Sequence, residues 1–140
     1  MINSFRDDHF FLSNFYPVEI KLDGIVYLNA EAAFQAQKTF DIDEKNKFAT
    51  MTPTQAKRYG RKVKLREDWE DVKVSIMTDV VSQKFLQHPH LLEKLLQTGD
   101  EELIEGNTWR DYFWGVCKGK GKNNLGKILM KVREAYKSIR

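Results

Sequence analysis

The run from Val18 to Lys38 leaves the backbone few options. Val18-Glu-Ile-Lys-Leu22 alternates apolar and polar residues, the period of a strand. Asp23-Gly24 follows, then Ile25-Val-Tyr-Leu28, and Asp-Gly between two β-rich runs predicts a hairpin with a type I′ turn. Asn29 to Lys38 is alanine-rich and lacks Gly, Pro and β-branched residues, which favours a helix with Asn29 as its N-cap. Glu31 therefore emerges at the end of a strand and in the first turn of a helix, where the positive helix end favours an ionised carboxylate. Helical spacing stacks Glu31, Phe34 or Gln35, and Lys38 along one face. That face is either a solvated stripe or half of an active site.

The flanking segments add candidate partners. Phe5, Phe10, Phe11 and Phe15 crowd the N-terminal stretch and predict a packed segment. Ser13 and Asn14 among them either cap a turn or face a ligand. Thr52-Pro53 starts a helix and Gly60 stops it. Around that stop lie Lys57, Arg58, Arg61, Lys62, Lys64 and Arg66, either a solvated basic loop or a clamp for phosphate or a nucleic-acid backbone. Asp68 caps a helix running to Gln87, with Val72, Ile76, Met77, Val80 and Phe85 on its buried face. Trp69 in its first turn is core or a stacking wall.

His88-Pro-His90 breaks that helix, and Leu91 to Leu96 forms a short amphipathic one. Glu101 to Glu105 reads as a short strand. Trp109, Tyr112, Phe113 and Trp114 surround Asp111 in sequence, so this acid is a paired structural charge or a functional group. Lys118 to Gly126 is a basic, glycine-rich loop opening the last helix, capped by Asn123 or Asn124. Leu125, Ile128, Leu129, Val132 and Tyr136 give that helix its buried face. A glycine-rich loop at a helix start can hold an anion, although the Walker A spacing is absent.

At 140 residues the chain is expected to be one domain, residues 1–140, with a sizeable core. A net charge of +3 is compatible with an anionic ligand without requiring one. Cys117 is the sole cysteine, so no intrachain disulfide framework is possible. No leader-like segment or apolar stretch of membrane-spanning length is evident, which makes a cytoplasmic location the expectation and a membrane partner an unexpected one. Two carboxylates, Glu31 and Asp111, with cations and tryptophan rings could cleave a nucleotide-like N-glycoside. A fixed carboxylate stabilises the oxocarbenium-like transition state, and the leaving base needs a proton or a hydrogen bond. The same groups could serve binding without catalysis.

An ordered series of short motifs spans nearly the whole chain. It comprises Phe5-Arg6, Leu12-Ser-Asn-Phe-Tyr-Pro17, Asp23-Gly24, Ala30-Glu31 with Phe34-Gln-Ala-Gln-Lys38, Gly60-Arg61, and Trp69. Asp111 with Trp114-Gly115, Gly119 with Gly121-Lys-Asn123, and Leu125-Gly126 with Met130 and Arg133 complete it. This series resembles the NADAR family, the YbiA-like N-glycosidases. The resemblance implies an α+β fold, a single compact, mostly helical domain with a small β-sheet. It also implies a hydrolase of N-glycosidic bonds that needs neither metal nor other cofactor. Family members act on ADP-ribose attached to guanine, and others on phosphorylated riboflavin-pathway intermediates. The implied partner is an ADP-ribose-containing or phosphorylated N-riboside, including ADP-ribosylated DNA or RNA.

The resemblance also carries residue roles. The family's catalytic acid falls on Glu31, its motif lysine on Lys38, its pocket tryptophan on Trp69 and a second acid on Asp111. Substrate contacts are implied for Ser13, Asn14, Phe15, Gln35, Arg61, Lys62, Trp114, Gly119, Lys120, Gly121 and Asn123. One position departs from the pattern: the family commonly has His after the Glu, and here Ala32 stands there. Glu31 and Lys38 then carry the chemistry, or the substrate differs.

Overall fold

The computed structural model describes Met1–Ile139. Its α-helices and two small two-stranded sheets give an α+β fold. The residues divide into two compact units, Asn14–Gln87, and Met1–Ser13 with the segment from His88 onward.

In the first unit, strands β1 (Pro17–Leu22) and β2 (Ile25–Asn29) pair antiparallel, with Leu22 opposite Ile25. Asp23 and Gly24 both have positive φ, 50° and 84°, as the predicted type I′ turn requires. Helix α1 (Ala30–Ala36) follows without a loop. The Asn29 side chain accepts from the Ala32 amide at 2.7 Å and donates to the Met51 carbonyl, fixing where α1 begins. Short side chains at Ala30, Ala32, Ala33 and Ala36 leave no bulk to hold neighbours away, and all four are buried. Helices α3 (Pro53–Tyr59) and α4 (Trp69–Gln87) pack on α1, as do both strands. Ile20, Tyr27, Phe48, Val80 and Phe85 fill the surrounding core with no exposed surface. Truncating a ring such as Phe48 to alanine costs about 3–5 kcal/mol.

Helix α2 (Ile42–Lys47) starts at Asp41, whose carboxylate accepts from the amides of Asp43 and Glu44. Thr52 and Gln55 form a reciprocal capping box at α3. Gly60 ends α3 with φ −60°, an ordinary helical conformation. The glycine is therefore not there for a left-handed turn; its role lies in the site described below.

In the second unit, Asp7–Leu12 is a 3-10 helix that buries Phe11 and Leu12. The predicted packing of four phenyl rings holds for half of them: Phe5 and Phe11 are buried, while Phe10 and Phe15 are more than a third exposed. Helix α5 (Pro89–Gln97) packs on α6 (Asn124–Lys137). The expected strand at Glu101–Glu105 is a single bridge from Leu103 to Ile2, because Ile2 offers one residue of pairing. The short strands β3 (Gly106–Asn107) and β4 (Val116–Cys117) pair in parallel. Leu125, Ile128, Leu129 and Val132 bury the predicted face of α6, Tyr136 at its end is only partly covered, and Arg133 joins the face by donating to Thr98 Oγ1. Among the described residues no helix is long and apolar enough to cross a membrane.

Candidate active site

The Asn14–Gln87 unit brings Glu31, Gln35, Lys38, Arg61 and Trp69 around α1. The Glu31 backbone amide donates to the Asn14 carbonyl at 3.1 Å, so the strand-to-helix junction is clamped at the acid itself. The Asn14 side chain is buried and donates to Met77 Sδ at 3.4 Å, which makes Asn14 a brace for this junction. One turn along α1, Gln35 Nε2 donates to Glu31 Oε2 at 2.8 Å. Gln35 Oε1 is buried with no hydrogen-bond partner. It occupies the space where a β-carbon on Gly60 would stand. Gly60 thus has two roles, as the stop of α3 and as the gap that admits the Gln35 amide.

Lys38 lies just beyond the helix, its amide bonded to the Gln35 carbonyl. Its ammonium reaches the Gly60 carbonyl at 3.5 Å and stands 5.8 Å from the centroid of the Trp69 ring. Burial holds the Lys38 ammonium below the ordinary lysine range; Glu31 opposes that shift, and Arg61 and Lys73 reinforce it. Trp69 is 5 % exposed and packs on Phe34 at 5.1 Å between centroids. It therefore backs Lys38, in keeping with the core alternative for Trp69, and presents little of its ring to solvent. Phe15, directly after Asn14, is the partly exposed ring of this set. Arg61 is exposed beside Gly60. Lys62 lines a separate cleft with Phe40 and Arg66.

The remaining predicted residues belong to the other unit and are bound into its own structure. Asp111 Oδ1 accepts from the amides of Phe113 and Trp114 at 3.2 and 2.9 Å. Asp111 N and O are both held by the Asn107 carboxamide. This carboxylate shapes a turn, in keeping with the structural alternative for Asp111. It is not enclosed by rings, since Trp109 and Tyr112 are 57 % and 46 % exposed. Trp114 packs edge-on to Phe113 at 4.7 Å. Ser13 closes the 3-10 helix through its amide.

Asn123 is buried, with its carboxamide accepting from Glu105 N and donating to Leu103 O, each at 2.9 Å. These bonds give Asn123 a structural role, in keeping with its expected place as the cap of α6. Four amides of the loop and of the start of α6 are committed as well. Lys120 N donates to Cys117 O, Lys122 N to Tyr112 O, Asn123 N to Gly115 O and Asn124 N to Phe113 O. Leu125 N donates to Trp114 O, so the first turn of α6 is closed by the chain's own carbonyls. Gly119 and Gly121, the expected anion cradle, lie on the exposed part of this loop with Lys118, Lys120 and Lys122.

A half-buried carboxylate braced by an amide, beside a lysine with destabilised charge, can stabilise a developing cation and handle a proton. The NADAR domain family model matches residues 3–137. The chain belongs to the NADAR family. It is 42% identical over 132 residues to a riboflavin biosynthesis protein of Vibrio vulnificus, covering 91% of this chain and 36% of that one. The chain thus spans about a third of that relative's length. It is 40% identical over 134 residues to an N-glycosidase of Nostoc punctiforme, covering 91% of this chain and 85% of that protein. It is likewise 40% identical over 135 residues to N-glycosidase YbiA of Escherichia coli, covering 94% and 84%. The NMR structure of E. coli YbiA superposes with a TM-score of 0.85 and 36% identity, covering all of this chain and 90% of that one. The NADAR fold is thereby the fold of this chain, with the Glu31–Gln35–Lys38 set inside the matched residues.

Proposed function

We propose that this NADAR protein is an N-glycosidase that removes ADP-ribose from guanine bases. The observation that carries the reading is the Glu31 carboxylate, held by Gln35 at 2.8 Å, next to the partly buried Lys38. The names of the Nostoc and E. coli relatives support cleavage of an N-glycosidic bond.

In the reaction, the C1–N bond breaks with its electron pair passing to the base nitrogen. Positive charge develops on C1 and the ring oxygen, and Glu31 faces that charge. Water adds at C1, and its proton passes to Glu31 or Lys38 on the way to the departing base. Arg61 meets phosphate oxygens, while Phe15 supplies an apolar surface beside the junction. Lys38 as a neutral amine can also add to the C1=N iminium of a ring-opened riboside; the adduct expels the protonated base from C1, leaving a C1=Nζ Schiff base that water hydrolyses to free Lys38 and the sugar aldehyde. Its lowered proton affinity favours the amine that this step needs.

The name of the Vibrio relative favours a second reading, hydrolysis of small phosphorylated ribosylamino-pyrimidines of riboflavin synthesis. One assay separates the two. The protein is incubated in chelator with guanine-ADP-ribosylated oligonucleotide, ADP-ribosylated guanosine and a ribosylamino-pyrimidine phosphate. Release of free ADP-ribose supports the first reading and ranks nucleic acid against nucleoside. Cleavage of the pyrimidine alone replaces it with the second. No turnover, with tight ADP-ribose binding, leaves a binding module.

A further inference from the structure

Phe40 lies two residues beyond Lys38 and is 70 % exposed, yet it is held from one side. The Arg66 guanidinium sits over its ring, 4.2 Å from the centroid. That guanidinium is itself fixed, because Nε and Nη2 donate to both oxygens of Asp68 at 2.6 and 2.9 Å and Nη1 reaches the Gln37 carbonyl. The Arg66 amide also donates to the Lys38 carbonyl at 2.8 Å, tying this stack to the backbone of the candidate site. The result is a ring with one face on a cation and the other open to solvent. It borders a cleft of about 790 Å³ that Lys62, Lys64 and Leu65 also line. That volume lies within the range of small-molecule sites.

The charges around the cleft leave the lysines available. Glu44 accepts from Tyr59 and Lys47, Asp68 holds Arg66, and Asp41 caps α2. Glu67 is exposed. A one-sided aromatic platform takes a planar ring, and ammonium groups nearby take phosphate oxygens. We propose that this cleft binds a nucleobase carrying phosphate, stacked on the open face of Phe40 with Lys62 and Lys64 on the phosphate. Two ligands present that chemistry: the adenosine end of ADP-ribose, and an unpaired nucleotide flanking a modified base. The choice between them rests on the glycosidase reading above; the stacking itself does not.

The test is binding, measured in a Glu31→Gln background by calorimetric titration. The probes are AMP and a single-stranded oligodeoxynucleotide of about eight nucleotides, within the span of one single-strand module. Phe40→Ala is expected to weaken one or both probes by about tenfold, and Phe40→Trp to retain them. Weakening of AMP alone assigns the cleft to the end of a small substrate, and weakening of the oligonucleotide alone to a flanking base. Absence of binding by both probes, or unchanged binding by Phe40→Ala, overturns the proposal. Hydrolysis is followed separately with unmutated protein. Turnover with Phe40-independent binding sinks this site and spares the glycosidase reading. Phe40-dependent binding without turnover does the reverse.

Discussion

Gln35 stands between Glu31 and Gly60, its amide nitrogen on the carboxylate at 2.8 Å and its oxygen in the space a β-carbon on Gly60 would need. The amide can turn neither way without losing one of these fits. Gln35→Ala is expected to lower kcat about tenfold, with KM little changed, because the brace acts on Glu31. Loss of a donor to the ionised carboxylate moves the acid limb of the kcat/KM profile to higher pH. An unchanged profile would make Gln35 a packing residue.

Gly60 provides a second check on the same arrangement. Its helical φ suits alanine, so Gly60→Ala alone would be stabilising were it not for Gln35. Gly60→Ala is expected to cost about tenfold in kcat in the unmutated background and less than about twofold in Gln35→Ala. In the double variant Tm should exceed that of Gln35→Ala. Equal costs in the two backgrounds would show that Gly60 acts independently.

Lys38 titrates below the ordinary lysine range because of its burial. If its neutral amine reacts, kcat/KM rises with pH through that lowered pKa. Lys38→Met should lose about a hundredfold in kcat. Lys38→Arg, which stays charged, should lose that rising limb as well as activity. Persistence of the limb in Lys38→Arg would assign it to another group.

Asp111 gives the opposite expectation. Its oxygen organises the amides of Phe113 and Trp114, which an asparagine carbonyl can also do. Asp111→Asn should keep kcat within about threefold, whereas removal of a catalytic carboxylate costs about a hundredfold or more. A large loss in Asp111→Asn would restore it as a catalytic acid.

Lys84 carries a pH dependence of stability. It is fully buried beside the Tyr16 and Phe85 rings, and burial lowers its pKa to about 7. Between about 7 and the ordinary lysine value of 10.5 the unfolded chain holds the proton and the folded one does not. Stability therefore rises with pH across that window, by at most about 1.4 kcal/mol per unit. Denaturant unfolding of the wild type minus Lys84→Met should show this slope. A flat difference would mean that Lys84 stays charged in the folded state.

The elements that were legible in the sequence are those closed by near neighbours. Asp23-Gly24, Asn29 over Ala32 and the Thr52–Gln55 box each need only a few adjacent residues, and local chemistry determines them. Glu31, Gln35 and Lys38 were legible because helical spacing brings them together. Gly60 was legible as the stop of α3, but its second role, making room for Gln35, lies across space. Asp111 and Asn123 each kept a structural alternative open in the sequence; the Asn107, Phe113 and Trp114 partners of Asp111 are near in sequence, whereas Leu103 and Glu105, which hold Asn123, are not. The Phe40 cleft left one unread signal: Phe40 and Ile42 are bulky apolar residues in a polar run, and both are exposed.

In the proposed reaction, N-glycoside cleavage depends on the Glu31 carboxylate. The most direct measurement is single-turnover hydrolysis of ADP-ribosylated guanosine by the unmutated protein and by Glu31→Gln, with substrate affinity measured in parallel. The expected result is release of free ADP-ribose, a loss of at least about a hundredfold in the cleavage rate of Glu31→Gln, and nearly unchanged affinity. A loss below about tenfold would contradict it, since an amide cannot replace a carboxylate facing an oxocarbenium ion.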